Sequence, residues 1–175
     1  MGCATLLDRI WAPWRAQYIR DAAQDSPGLS CFICQGLMGT DDRANLLVWR
    51  GPCSLVVLNR FPYNNGHLLV APCVHRGTLQ ELEGPDLVEP LQTLRLMTVV
   101  LDRMLRPQGY NLGLNQGKAA GAGLPGHLHW HLVPRWDGDT NFMPVLGHAK
   151  VIVESLHEFY DRLLEELRHE LRSPA

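Results

Sequence analysis

Two long stretches of the chain repeat apolar residues at the spacing of an α helix. Steps of three and four residues place these side chains on one helical face, so each stretch is predicted to form an amphipathic helix. Pro90 lies in the first stretch, where we expect it in the first turn or at a kink. The positions are Leu87, Leu91, Leu94, Thr98, Leu101 and Leu105 in the first, and Ile152, Leu156, Phe159, Leu163, Leu167 and Leu171 in the second.

Shorter apolar runs bounded by glycine and proline predict β strands. The runs "NLLVWR" and "CSLVVLNRFP" flank a Gly-Pro break and indicate a hairpin. "GHLLVAP", "YNLGLN" and the segment that begins at His127 indicate three more strands. Several antiparallel strands with two long helices are typical of an α+β domain.

The 175 residues suit one domain, which we place at 31–172 behind an N-terminal extension at 1–30. Trp11 and Trp14 in the extension are expected to anchor it, either to the domain or to a partner subunit. The net charge of −2 argues against non-specific nucleic-acid binding. No apolar run approaches the ~20 residues of a membrane helix, and the opening lacks the apolar core of a secretory signal. We therefore expect a cytoplasmic protein without a membrane partner.

The segment "HLHWHLVPRW" carries histidine at every second position. Side chains alternate along a strand, so His127, His129 and His131 are predicted to share one face while Leu128, Trp130 and Leu132 share the other. Neighbouring histidines would lie roughly 6.6 to 7 Å apart along the strand, so the three are expected to divide their roles. A polar outer face of a half-buried strand is the alternative. The preceding loop, "GKAAGAGLPG", is by itself more typical of a plain turn. Before a row of histidines it favours phosphoryl or nucleotidyl chemistry, because its backbone N–H groups can contact phosphate oxygens.

Five cysteines form a poor disulfide framework, since the count is odd. We interpret Cys53 and Cys73, in apolar runs, as small core residues. Cys31 and Cys34 form a CxxC, which alone leaves metal binding and redox chemistry both open.

Taken together, the loop and the histidines resemble the histidine triad (HIT) superfamily of nucleotide hydrolases and transferases. The matching segments, which lie roughly within residues 10–165, resemble the bacterial branch related to ATP adenylyltransferase and diadenosine tetraphosphate phosphorylase. The resemblance implies an antiparallel HIT-like sheet with two long helices and a homodimer. It rests on "WAPWR", "LNRFPYNNGHLLVAP", "NLGLNQG", "AGAG" and "HLHWHLVPRWDGDTNFMPV".

The resemblance also implies roles for individual residues. His129 would be the nucleophile, His131 would assist at the phosphate or leaving group, and His67 would be the fourth active-site histidine. The implied substrate-binding residues are Asn59 at the ribose, Asn115 beside the phosphates, Gly121 and Gly123 in the phosphate loop, and Trp136 as a wall of the nucleotide pocket or else a core or interface tryptophan.

Some relatives hold a structural zinc ion with a CxxC, a later histidine and the first histidine of the triad. The resemblance therefore implies a Zn site formed by Cys31, Cys34, His75 and His127, in which the metal has no catalytic role.

The implied reaction transfers a nucleotidyl group from a dinucleoside polyphosphate, through His129, to inorganic phosphate. A hydrolase of dinucleoside polyphosphates or adenosine phosphoramidates would use the same intermediate with water as acceptor. Many hydrolytic relatives carry glutamine where this chain has Gly123, and this departure favours the phosphorylase-like branch. A nucleotide-binding regulatory protein with little turnover is the alternative outside enzymes.

Overall fold

The structure, a computed structural model, describes residues 31–140 and 154–172. The predicted extension at 1–30, with Trp11 and Trp14, and the start of the second apolar repeat at Ile152 lie outside the described residues. Two short 3-10 turns, Leu79–Glu81 and Lys118–Ala120, join the main elements. These elements are α1 (Phe32–Met38), β1 (Leu47–Arg50), β2 (Ser54–Leu58), β3 (Leu68–Pro72), α2 (Gly84–Leu105), β4 (Gly109–Leu114), β5 (Trp130–Arg135) and α3 (Leu156–Arg172).

The five strands form one antiparallel sheet in the order β1-β2-β3-β5-β4. The last strand in sequence therefore lies between β3 and β4. His131 of β5 is paired with Leu69 on one side and with Gly113 on the other. Directly paired residues of antiparallel strands point to the same face, so this register fixes which residues surround His131.

The two long helices pack on the opposite face of the sheet. Leu68, Val70 and Leu132 are fully buried in the core there. The phenol of Tyr160 on α3 donates a hydrogen bond to the Leu47 carbonyl oxygen at 3.0 Å, which joins the helix to β1. Burial of apolar area supplies most of the stabilisation. Because both long helices lie on the opposite face, the His131 face of the sheet is left free to carry polar side chains.

The predicted α+β class, hairpin and long helices are confirmed. Three details differ. Pro90 lies in the second turn of α2, buried, and not in the first turn. Leu91 and Leu171, predicted on the buried faces of α2 and α3, are exposed. Cys53, just before β2, and Cys73, just after β3, are half-buried, although the Cys73 N–H still donates to the Cys53 carbonyl oxygen at 2.9 Å.

The histidine strand is shorter than predicted. It begins at Trp130, so His127 and His129 precede it. Both of these histidines are buried, as are Leu128 between them and Trp130 after them. Leu128, Trp130 and Leu132 all belong to the hydrophobic core, while the rings of His129 and His131 lie together, so the alternation continues before the strand begins. The loop that follows β3 contacts this segment, since the Leu128 N–H donates to the Arg76 carbonyl oxygen at 2.6 Å.

Within the described ranges, no helix combines the length and apolar character needed to cross a membrane.

Candidate functional site

His129 is held by a single backbone contact. Its Nδ1–H donates to the carbonyl oxygen of His127 at 2.8 Å. An imidazole that donates from Nδ1 and is neutral keeps its lone pair on Nε2. Burial lowers the pKa of His129, and the hydrogen bond to the His127 carbonyl only partly opposes this shift. The site therefore favours a neutral His129 with a nucleophilic Nε2.

His67 and His131 form a hydrogen-bonded pair beside His129. The backbone N–H of Tyr63 donates to His67 Nδ1 at 3.0 Å, so this nitrogen is an acceptor. A neutral His67 then carries its proton on Nε2, which lies 2.9 Å from His131 Nδ1. His131 accepts there and keeps its own proton on Nε2. The chain of contacts thus selects one tautomer for each ring and gives His131 a proton to donate. The rings of His129 and His131 lie 5.2 Å apart.

Asn59 lies at the end of β2, next to His67. Its Nδ2 is 3.2 Å from His67 Nδ1, and its Oδ1 accepts from the Phe61 N–H at 2.9 Å. The backbones of Asn59 and His67 are also joined, by a 3.0 Å hydrogen bond from the Asn59 N–H to the His67 carbonyl. The turn between β2 and β3 therefore places both side chains together.

The residues predicted to form a phosphate loop follow β4. Gly121 has a φ of 85°, a conformation that glycine adopts without strain, at the end of the Lys118–Ala120 turn. Gln116 anchors the start of this loop, since its Oε1 accepts from the Leu79 N–H at 2.9 Å. Asn115, between β4 and the loop, lines the same cleft as His131. Gly123 is partly buried further along the loop.

A cleft of about 410 Å³ extends from His131 across β5 and β4. The described residues that line this cleft include Tyr63, Asn115 and Arg135. Trp136 follows β5, and its backbone N–H donates to the Asp139 carboxylate at 3.1 Å. It is not among the described residues that line the cleft. The predicted role of Trp136 as a pocket wall therefore stays a prediction.

Cys31, Cys34, His75 and His127 form a compact cluster whose ligand atoms all lie within 4.8 Å of one another. His127 Nδ1 lies 3.3 Å from Cys31 Sγ and 3.4 Å from Cys34 Sγ. His75 Nδ1 lies 3.2 Å from Cys34 Sγ. Such a set of two thiols and two imidazoles can hold a metal ion.

The protonation chemistry of this cluster suits a metal ligand set. His127 Nε2–H donates to the Pro72 carbonyl oxygen at 2.9 Å, which leaves Nδ1 free to coordinate. Burial lowers the pKa of His127 to about 4, which keeps the ring neutral. Burial and the adjacent Cys31 raise the pKa of Cys34 to about 11. A bound cation would favour the Cys34 thiolate.

Comparison with known proteins agrees with this geometry. The family model for the HIT domain matches residues 43–138. The chain belongs to the HIT family. An AP-4-A phosphorylase of Mycobacterium tuberculosis is 37% identical over 162 residues, an alignment that covers 90% of this chain and 83% of that protein.

Solved HIT structures share the fold. A histidine triad nucleotide-binding protein from Sulfolobus tokodaii has a TM-score of 0.62 and 25% identity, over 81% of this chain and 91% of its own. A Zn-bound histidine triad family protein from Mycobacterium smegmatis has a TM-score of 0.59 and 21% identity, over 87% and 93% of the two chains. The latter likeness concerns the fold alone.

Two contributors to this HIT site were missed by the sequence analysis. Tyr63 supplies the N–H to His67, and its ring stacks on that of His131 at 5.7 Å with 17° between the planes. Arg50 donates to the carbonyl oxygens of Gly36, Leu37 and Gly39, at the C-terminal end of the helix that begins beside Cys31. The segment "FPYNNGH" indicated a turn before His67, but the turn alone did not predict that Tyr63 would contact His67 and His131.

Proposed function

We propose that this HIT protein cleaves diadenosine tetraphosphate with inorganic phosphate to give ADP and ATP. The hydrogen bond from His129 Nδ1 to the His127 carbonyl carries the proposal, because it leaves Nε2 as the lone-pair nitrogen. The relative from Mycobacterium tuberculosis, named as an AP-4-A phosphorylase, supports the choice of reaction. So does Gly123, which stands where many hydrolytic relatives have glutamine.

In the first step, His129 Nε2 attacks the phosphorus attached to one adenosine. An N–P bond forms, and the bond from that phosphorus to the bridging oxygen breaks. ATP leaves with the electron pair, and His131 donates its Nε2 proton to it. The contact between His67 Nε2 and His131 Nδ1 supports this assignment, because it favours the tautomer that has a proton to give.

In the second step, a phosphate oxygen attacks the phosphorus of the adenylyl group. The N–P bond breaks, His129 recovers its lone pair, and ADP leaves. The proton from the attacking phosphate returns to His131, so both histidines end as they began. Asn115 and the backbone N–H groups around Gly121 and Gly123 stabilise charge on the phosphoryl oxygens. Asn59 holds the ribose and Trp136 bounds the nucleotide.

The Cys/His cluster is proposed to bind a structural zinc ion. Tetrahedral Zn²⁺ with thiolate and imidazole ligands places neighbouring donor atoms roughly 3.3 to 3.8 Å apart. The S···N distances of 3.2 to 3.4 Å from His127 to both cysteines and from His75 to Cys34 agree with that geometry after a small adjustment. The ion would join the CxxC helix to the segment that carries His129, and it would leave no coordination position for substrate.

A homodimer is proposed to form at the β4 edge. β4 ends the sheet, so one side of its backbone has no strand partner among the described elements. Leu91 of α2 and Leu112 of β4 flank this edge and are 53% and 56% exposed. A second copy related by a two-fold axis would cover both. Light scattering should give a dimer mass, and Leu112→Arg should give a monomer.

Product analysis tests the reaction. The protein is incubated with diadenosine tetraphosphate, with and without inorganic phosphate, and the nucleotides are separated. ADP and ATP that form only with phosphate support the proposal. AMP and ATP regardless of phosphate would make water the acceptor and the protein a hydrolase. Tight nucleotide binding without turnover on any polyphosphate or phosphoramidate would instead support a regulatory binding protein.

A further inference from the structure

The strand order separates two sides of the candidate active site. Asn59 follows β2, His67 precedes β3, and His131 lies on β5. The cleft beyond His131 lies over β5 and β4, on the far side of the histidines from Asn59. If Asn59 holds the ribose of the transferred nucleotide, the cleft is left for whatever is bonded to the other side of the reacting phosphorus.

Asn115 and His131, which the proposed function assigns to the phosphates, line one part of the cleft, and the rest of the lining suits an uncharged ligand with an aromatic ring. The ring of Tyr63 forms one wall and Val133 contributes an apolar patch. Arg135, at the far end, is neutralised: its Nε and Nη2 donate to both carboxylate oxygens of Asp139, and its Nη1 donates to Asn111. Mixed apolar and hydrogen-bonding surface of this kind recognises a nucleoside better than it recognises free phosphates.

We propose that this cleft is the subsite for the nucleoside of the leaving nucleotide, with Tyr63 as its aromatic wall and Gly113 as its floor. The inference rests on the proposed function, since it needs a substrate with a nucleotide leaving group. The proposal predicts that the enzyme selects substrates by their leaving group. Substrates with a second nucleoside gain binding in the cleft, and substrates with a small leaving group do not.

Gly113 gives a clean way to close the cleft. It is paired with His131 across β4 and β5, so a side chain there would point to the His131 face. A Cβ at Gly113 would meet no atom of the described residues within 4 Å, so a larger residue fills space that these residues leave empty. Gly109 is a matched control. It is in the same strand, is paired with Arg135, also has open space at its Cβ, and is not in the cleft's described lining.

The test compares a large and a small leaving group. Turnover of diadenosine tetraphosphate and of adenosine 5′-phosphoramidate is measured for the wild type, Gly113→Val and Gly109→Val. We expect Gly113→Val to lower kcat/KM at least about tenfold for the dinucleotide and to change phosphoramidate turnover less than about twofold. Gly109→Val should change neither. Equal losses on both substrates with Gly113→Val, or no loss on either, would overturn the proposal.

Equilibrium binding separates this inference from the reaction. Affinities for AMP and for diadenosine tetraphosphate are measured by calorimetry on His129→Asn, which cannot form the adenylyl intermediate, with and without Gly113→Val. Loss of the dinucleotide's advantage over AMP in Gly113→Val supports the subsite even if the wild type cleaves neither substrate, an outcome that would refute only the proposed function. An unchanged ratio of the two affinities would overturn the subsite.

Discussion

His127 contacts both halves of the site. Its ring nitrogen Nδ1 lies 3.3 Å from Cys31 Sγ in the Cys/His cluster, while its carbonyl oxygen accepts the 2.8 Å hydrogen bond from His129 Nδ1. The residue that would hold the metal therefore also orients the proposed nucleophile. A disturbance in the cluster should reach His129 through one residue.

Loss of the metal site is expected to lower both stability and turnover. Cys34→Ser removes the sulfur that lies near both histidines of the cluster. We expect zinc content to fall from about one ion per chain to far less, the melting temperature to drop, and kcat to fall about tenfold through His127. Metal analysis, thermal unfolding and kinetics of the purified variant check this. Cys53→Ser is the control, since Cys53 lies outside the cluster. A fully active Cys34→Ser protein without zinc would contradict the coupling.

The contact between His67 and His131 should matter for proton transfer more than for binding. His67→Ala removes the donor to His131 Nδ1, and we expect kcat to fall about a hundredfold while KM changes only a few-fold. His67→Gln should recover part of the rate, because an amide can accept from the Tyr63 N–H and donate to His131. Steady-state kinetics distinguish these cases. A KM effect with unchanged kcat would assign His67 to substrate binding instead.

Activity should persist at mildly acidic pH. The nucleophile must be neutral, and burial lowers the pKa of His129, so the neutral form survives below the ordinary histidine value of 6.5. The acid limb of the kcat/KM profile is therefore expected below pH 6.5. The same shift makes the unfolded chain bind protons more readily than the folded one, so stability should fall as pH drops below about 6.5. An acid limb at or above 6.5 that tracks His129 would contradict this account.

Gly66 is expected to be required for the position of His67. Its φ is 76°, and a Cβ there would lie 2.8 Å from Leu105 Cδ1 and 3.2 Å from Phe159 Cζ. Gly66→Ala should lower the free energy of unfolding by about 2 to 4 kcal/mol, from backbone strain plus overpacking. Gly138→Ala is the matched control, because Gly138 has a φ of 74° and a Cβ there would meet no atom of the described residues within 4 Å. Urea unfolding gives the loss of unfolding free energy in each variant. The difference between the two losses measures the contribution of overpacking at Gly66. Equal losses would show that overpacking at Gly66 contributes nothing.

Local patterns predicted the helices and the strands, because apolar spacing is visible within short segments. The full Cys/His cluster came from the family resemblance, since the CxxC alone left metal binding and redox chemistry both open. The contacts made by Tyr63 and Arg50 could not be predicted in this way. Tyr63 meets His131 only after the β2–β3 turn folds back beside β5, and Arg50 reaches α1 only once β1 has joined the sheet. The buried segment begins at His127, before β5 starts, and this also depends on a loop that is distant in the sequence. The Leu128 N–H donates to the Arg76 carbonyl oxygen in that loop.

Detection of a nucleotidyl group on His129 tests the central claim most directly. The protein is mixed with diadenosine tetraphosphate in phosphate-free buffer, denatured in alkali to preserve an N–P bond, and analysed by peptide mass spectrometry, with His129→Asn as the control. We expect one adenylyl group on His129, its absence from the variant, and its release as ADP when phosphate is added before denaturation. Turnover without any adduct, or an adduct on another histidine, would contradict the assignment of His129 as the nucleophile.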